Sequence, residues 1–386
     1  MTGFALLIIL VTVPRVWAGF SLSTSSFLGG SGAGEEIRGV VIQSSGTIVV
    51  AANLRGTVPG FISPTKLGEA TDTSAGMIIR ISANGRSVLS AVRVGGRVLD
   101  LAIDNSDNLY VAMDVDGAVK LNPAADRILW SRRYDTKAWR IDAGPTGIFS
   151  VLTHSGSDPN ASNPGSGAVY VHASDGTERS GFSGFRNTLD VCVDEASATI
   201  CLVGWRQANT SGNPVQISYI RGVSYDGLTK YTGYDWSADQ NAKNWINRPT
   251  NNMADTRGLR AVIGQDGLLY CGFECAGGNH IFRYQPWLDK DSNWIPSGTL
   301  IVGGDQYHEF YNSKSEHKTF VGRYTPATGA FLLEKQFCTR LTTGAANALR
   351  LSTGAITADK QGRLFLSCAA GSGGGDKTPL GPPYQF

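Results

Sequence analysis

One hairpin phrase occurs six times along this chain, and it restricts the possible folds more than any other feature. It reads VVIQSSGTIVVAA at Val40–Ala52, LAIDNSDNLYVAM at Leu101–Met113, RIDAGPTGIFSVL at Arg140–Leu152, VCVDEASATICLV at Val191–Val203, AVIGQDGLLYCGF at Ala261–Phe273 and AITADKQGRLFLS at Ala355–Ser367. Each copy has an apolar run, a short turn rich in Gly, Asp or Asn, and a second run of β-branched and aromatic residues, which together signal a β-hairpin. A second alternating phrase follows the first five copies, as in GMIIRISANG at Gly76–Gly85 and GAVYVHASDG at Gly167–Gly176, and leads into a further strand. The repeating unit is therefore four antiparallel strands, A to D. Such a unit repeated without amphipathic helices predicts an all-β fold, a single β-propeller. A β-sandwich gives no reason for a four-strand period. The expected count is six blades, or seven if the interval Gly267–Gly362 holds a degenerate one.

Composition agrees. Gly is 48 of 386 residues, as a chain with many tight turns requires, and charged residues make up 17% against a usual ~25%. A net charge of +2 removes the electrostatic case for a nucleic-acid partner.

The first residues differ from the rest. Phe4–Val13 is an apolar run followed by Pro14, Arg15 and Val16-Trp17-Ala18. It falls short of the ~20 residues a spanning helix needs, so no transmembrane segment is expected. The small residues near Ala18 fit an export signal over 1–18, which leaves 19–386 as the propeller domain and places the protein in the periplasm, at the cell surface or outside the cell. No Lys or Arg precedes the run, and a buried first strand is the alternative. The β-rich stretch Phe20–Leu28 has no blade of its own and is expected to close the ring on the last blade, protecting its edge.

The segment SSFLGGSGAGEEIRGVVIQSSGTIVVAANL, Ser25–Leu54, resembles the bacterial SBBP β-propeller repeat, whose units read YLGGSG followed by an IAVDSSGNVYVTG-like hairpin. Phe27 stands for the Tyr, Gln43 for the Asp, and Ala51-Ala52 for Thr-Gly. The later copies keep only the hairpin. The resemblance implies a propeller and export, and supplies no catalytic residue.

In such blades the A–B and C–D turns share one face, and the B–C and D–A connections share the other. The A–B turns (around Ser45, Asp107, Thr146, Ala196, Asp266 and Gln361) and the C–D turns (around Asn84, Ala124, Asp175, Asp226 and Thr328) are short. The long segments, 53–75, 153–166, 204–216 and 274–318, all fall between B and C. Function concentrates in loops held by a rigid scaffold, so the B–C face is the expected binding surface for a polysaccharide or protein ligand.

The longest insertion carries Trp287, Trp294, Tyr307, His308, Glu309, Tyr311, Glu316 and His317. Aromatic rings beside carboxylates and imidazoles suit sugar stacking or acid–base chemistry, although rings can also simply anchor a long loop. The His308 and His317 spacing is not that of a helical zinc motif. Asp289, Asp291 and Asn293 match the opening of a calcium loop, but Trp294 stands where Gly is needed and Leu300 where a bidentate Glu belongs. There is no G-x-S-x-G, Walker loop or C-x-x-C, and no cofactor is expected.

Cys192 and Cys201 flank their turn symmetrically, which sets them opposite each other as a candidate disulfide. Cys271, Cys275, Cys338 and Cys368 are either bridged across the insertion or buried as thiols. Together these features point to an exported, non-enzymatic binding or scaffold module. The alternative is a propeller-type enzyme, such as a glycoside hydrolase, lyase or quinoprotein-like dehydrogenase, with its site at the central channel.

Overall fold

The computed structural model describes residues 9–10, 35–54, 64–71, 74–115, 117–156, 166–210, 213–233, 256–276, 317–337, 339–340 and 346–370. Strands form all of the regular structure among them. The protein is a six-bladed β-propeller. Blade one is Glu36–Ile42, Ile48–Asn53, Gly76–Ile81 and Val88–Arg93, with Thr65–Lys66 added in parallel at its outer edge. Blade two is Val98–Ile103, Leu109–Met113, Ala118–Leu121 and Ile128–Arg132, and blade three is Lys137–Ala143, Phe149–His154, Ser166–His172 and Glu178–Arg186. Blade four is Thr188–Asp194, Thr199–Thr210, Asn213–Ser224 and Thr229–Gly233, and blade five is Thr256–Ile263, Leu269–Ala276, His317–Tyr324 and Phe331–Phe337.

The sixth blade shows Leu349–Ala358 and Leu364–Ala370 with Ile9–Leu10 paired antiparallel to the latter. Closure by an N-terminal strand was expected from Phe20–Leu28, which lies outside the described residues; the strand placed on the sixth blade is instead two residues of the apolar run. At the junction with blade one, Ile37, Val40 and Ile42 are 54%, 52% and 64% exposed. The counterparts of Val40 in the next three blades, Leu101, Ile141 and Val191, pack back against the preceding blade.

The turns explain the face asymmetry. Each A–B turn closes with an amide three residues on, such as Gly46 N–H to Gln43 O at 2.8 Å, and holds a positive φ at that residue. Gly46, Gly147, Gly267 and Gly362 occupy this position in four blades, Asp107 in blade two and Ala198 in blade four. In five blades this is the type I turn with a left-handed residue that three-residue hairpin loops favour, and in blade four the loop has four residues, Glu195 to Ala198, between the paired Asp194 and Thr199. Ala198 is exposed and carries a φ of +50°. Ala198→Gly is expected to stabilise the protein by about 0.5–1 kcal/mol in urea unfolding, because glycine adopts this conformation without a Cβ clash.

On the other face, the segment 204–216 is not a loop. Thr199–Thr210 and Asn213–Ser224 pair without interruption up to Thr210↔Asn213, so blade four extends a long hairpin from the B–C side. The alternating β-rich sequence GWRQANT there carries the strand pattern past the blade.

The core sits between blades. Val49, Ile78 and Val92 of blade one meet Leu101, Val111 and Met113 of blade two, and the same arrangement recurs for blades two and three, three and four, and four and five. Each fully buried Val, Leu or Phe contributes about 1.5–3 kcal/mol, so the ring is held by sheet-on-sheet contact that leaves little room for charge. Phe273 and Phe320 stack at 4.8 Å within blade five.

Candidate functional site

The inner strands share one irregularity. In blades one to five the A strand shifts register against its B strand at the same place, by one extra residue: Arg38, Leu99, Trp139, Leu189 and Leu259. A bulge of this kind bends a strand and re-aims its side chains. Leu99, Trp139, Leu189 and Leu259 join Leu351 of blade six in one buried cluster, which brings side chains from five inner strands together at the axis.

The residue after the bulge is charged in four consecutive blades, and its sign alternates: Asp100, Arg140, Asp190, Arg260. Blade one has Gly39 there, where an added Cβ would lie 2.6 Å from that of Leu101 on the neighbouring inner strand. Each of the four charged side chains reaches forward to the next blade. Asp100 accepts from Ile141 N–H at 3.0 Å, and Asp190 accepts from Ala261 N–H at 3.0 Å. Arg140 donates to Leu189 O at 3.4 Å, with its Nε 3.7 Å from Asp190. Arg260 donates to Gly354 O at 2.7 Å and Ser352 O at 2.9 Å. The acids take backbone N–H groups and the bases take carbonyls. Asp142, two residues after Arg140, adds a fifth link by accepting from Val193 N–H at 2.7 Å.

A second set of links joins the ends of B strands to the next inner strand. Asn53 exchanges two hydrogen bonds of 2.8 Å with the Val98 backbone, His154 Nε2 lies 2.6 Å from Thr188 O, and Glu274 accepts from Ser352 N–H at 2.6 Å.

Three carboxylates and two guanidiniums crowd this region. Asp190 is buried, while Asp100, Asp142 and Arg260 keep a partial exposure deep between the inner strands. Burial pushes the Asp142 carboxyl up to about 7 and Asp100 up to about 6, with neighbouring carboxylates adding to both and Arg140 pulling Asp100 back. Asp190 is also raised by burial, against the pull of Arg140 and Arg260. Arg260 is lowered to about 10 by burial and by Arg140. Groups with displaced acidities recessed between elements mark a site worth testing.

Of the residues singled out in the long insertion, His317 is placed: it opens the C strand of blade five opposite Ala276. Trp287, Trp294, Tyr307, His308, Glu309, Tyr311 and Glu316 lie outside the described residues, as do Asp289, Asp291 and Asn293. Among the described residues no cluster of His, Cys, Asp or Glu is arranged to hold a metal ion, and no helix is long and apolar enough to cross a membrane. Cys192 and Cys201 are direct cross-strand partners, as the symmetry of their turn predicts. Both are buried thiols in this structure, as is Cys271 beside them. Burial raises the Cys192 thiol well above its ordinary value, which makes it a poor nucleophile.

No family model and no curated protein sequence matches the chain. Among solved structures it is similar to hydrazine synthase from Kuenenia stuttgartiensis, at 10% identity over 91% of this chain and 77% of that one, with a TM-score of 0.49. It is also similar to a chain of a mitotic checkpoint complex, at 9% identity over 96% of this chain and 99% of that one, with a TM-score of 0.44. Likeness at this level transfers neither activity nor partner.

Proposed function

We propose that the protein is an exported, non-enzymatic binding module that recognises an extracytoplasmic polysaccharide through the B–C face of its propeller. The observation that carries this reading is the difference between the two faces. The A–B and C–D turns are trimmed to tight turns, whereas the chain between B and C is long in blades one, three and five and extends as a continuous hairpin in blade four. A rigid ring with one elaborated face presents a surface, and the aromatic content of 274–318 suits the flat faces of sugar rings. The likeness of Ser25–Leu54 to a repeat of exported proteins supports the location.

The enzyme reading has one observation in its favour, the raised acidities of Asp100 and Asp142. Against it, each carboxylate spends an oxygen on a backbone amide of the next blade, which is the work of a clamp. A glycan array probed with the purified chain should give binding to at least one polysaccharide, weakened at least tenfold in Trp287→Ala and Tyr311→Ala. An array without signal, or one unchanged in both variants, would defeat the proposal.

A further inference from the structure

The B strand of blade six, Leu364–Ala370, is short of an outer partner. In blades one to five the B strand pairs with its C strand over four to twelve residues. Among the described residues the outer neighbour here is Ile9–Leu10, antiparallel and joined at two pairs, Ile9↔Leu366 and Leu10↔Phe365. Register shows which backbone groups face that side. Asp359 N–H bonds to Arg363 O at 3.1 Å, so alternation along the hairpin turns the N–H and C=O of Phe365 toward Thr357 and those of Leu364 and Leu366 outward. Ala358 O, opposite Leu364, bonds instead to Gln265 N–H of blade five, as this register requires.

Composition marks the edge as one built to be covered. The D strands of blades one to five each carry a Lys or Arg: Arg93, Arg132, Arg179, Lys230 and Lys335. Charge on an edge strand discourages pairing with another chain. LFLSCAA has no charge and no proline. The sixth hairpin phrase is followed by GSGGGDKTPLGPPYQF, where the first five are followed by an alternating apolar phrase. The junction beside this blade also lacks what the other five have. A buried apolar cluster joins each of those neighbouring pairs of blades. Among the described residues none joins blade six to blade one, where Ile37, Val40 and Ile42 are exposed.

We propose that the outer edge of Leu364–Ala370 is a strand-accepting site for an extended apolar segment of a partner protein, which adds the missing C strand antiparallel to it. Ile9–Leu10 shows the mode: ladder hydrogen bonds supply the affinity, and aliphatic side chains at alternate positions supply the fit. Two residue pairs hold it, so a segment that pairs along the whole strand displaces it. The inference rests on the export reading at one point, because removal of 1–18 takes Ile9–Leu10 away and leaves the edge bare.

A fluorescein-labelled peptide of Phe4–Val13, with lysines added at both ends for solubility, tests the site by anisotropy. Its targets are the full chain carrying Ile9→Pro, which removes the N–H that pairs with Leu366, and the chain processed after Ala18. Both should bind it saturably and one to one, and the unaltered full chain at least tenfold more weakly. The peptide carrying the same Ile9→Pro change should also bind at least tenfold more weakly, which separates strand pairing from adsorption to an apolar surface. Hydrogen exchange at the Leu366 amide should slow at least tenfold with peptide, while the Phe365 amide, already bonded within the blade, is unchanged. No saturable binding to the Ile9→Pro chain, equal binding of the two peptides, or protection away from 364–370 would overturn the site. A processed chain that forms a dimer the peptide cannot dissociate would assign the edge to a second copy and overturn the partner. An intact mass that retains 1–18 after secretion would defeat the export reading alone, with the Ile9→Pro chain still deciding the edge.

Discussion

Asp190→Ala is expected to lower the unfolding free energy by about 3–5 kcal/mol, the usual loss when one member of a buried charge network is removed. The carboxylate accepts from Val191 N–H at 2.9 Å and from Ala261 N–H at 3.0 Å, and it stands 3.7 Å from Arg140 Nε. Truncation leaves two buried amides without acceptors and Arg140 and Arg260 without the anion between them. Asp190→Asn keeps an acceptor oxygen and removes only the charge, so its loss should be smaller. Urea unfolding followed by tryptophan fluorescence separates the two variants. A loss below about 1 kcal/mol for Asp190→Ala, under the typical worth of a single net hydrogen bond, would mean that the inner strands are not held together by this residue.

The second large effect concerns pH. Asp142 faces Asp100 from blade two, Asp190 and the Val193 amide from blade four, and its own neighbour's amide at Ala143. Its carboxyl titrates at about 7 in the folded protein against an ordinary 3.8, so between these values the folded state holds a proton that the unfolded chain has released. Stability from this group is therefore complete below pH 3.8 and declines as pH rises through 7. One pKa unit corresponds to about 1.4 kcal/mol, and the partial exposure of Asp142 reduces the full shift to an expected loss of about 1–2 kcal/mol between pH 5 and 8. Asp142→Asn should remove that slope and make the protein more stable than the wild type at pH 8. Thermal unfolding across this range gives the answer: parallel curves for the two proteins would assign the pH dependence elsewhere.

The hairpin period was legible because turn chemistry and alternation are local, and all six phrases map onto A–B hairpins. The register of Cys192 opposite Cys201 was legible for the same reason. The axial charges stand at one position of the repeat, in VLDLA, AWRID, TLDVC and GLRAV. A phrase begun at Leu101, Val191 or Ala261 omits the charge by one residue, and the period-2 rule assigns the next side chain to the wrong face once a bulge adds a residue. Blade four's long hairpin is hidden in the sequence because Gly204 and Asn209 read as turn residues, although both lie in a strand that pairs straight through them.

The central claim is that neighbouring blades are clamped at the axis by carboxylates that capture backbone amides of the next inner strand. Hydrogen exchange resolved to single amides tests it at Ile141, Val193 and Ala261, whose acceptors are Asp100, Asp142 and Asp190. All three should exchange among the slowest amides of the protein, and Asp142→Ala should accelerate Val193 selectively while leaving Ile141 and Ala261 protected. Exchange at these amides as fast as in the exposed turns, or a Val193 rate unchanged by Asp142→Ala, would contradict the account.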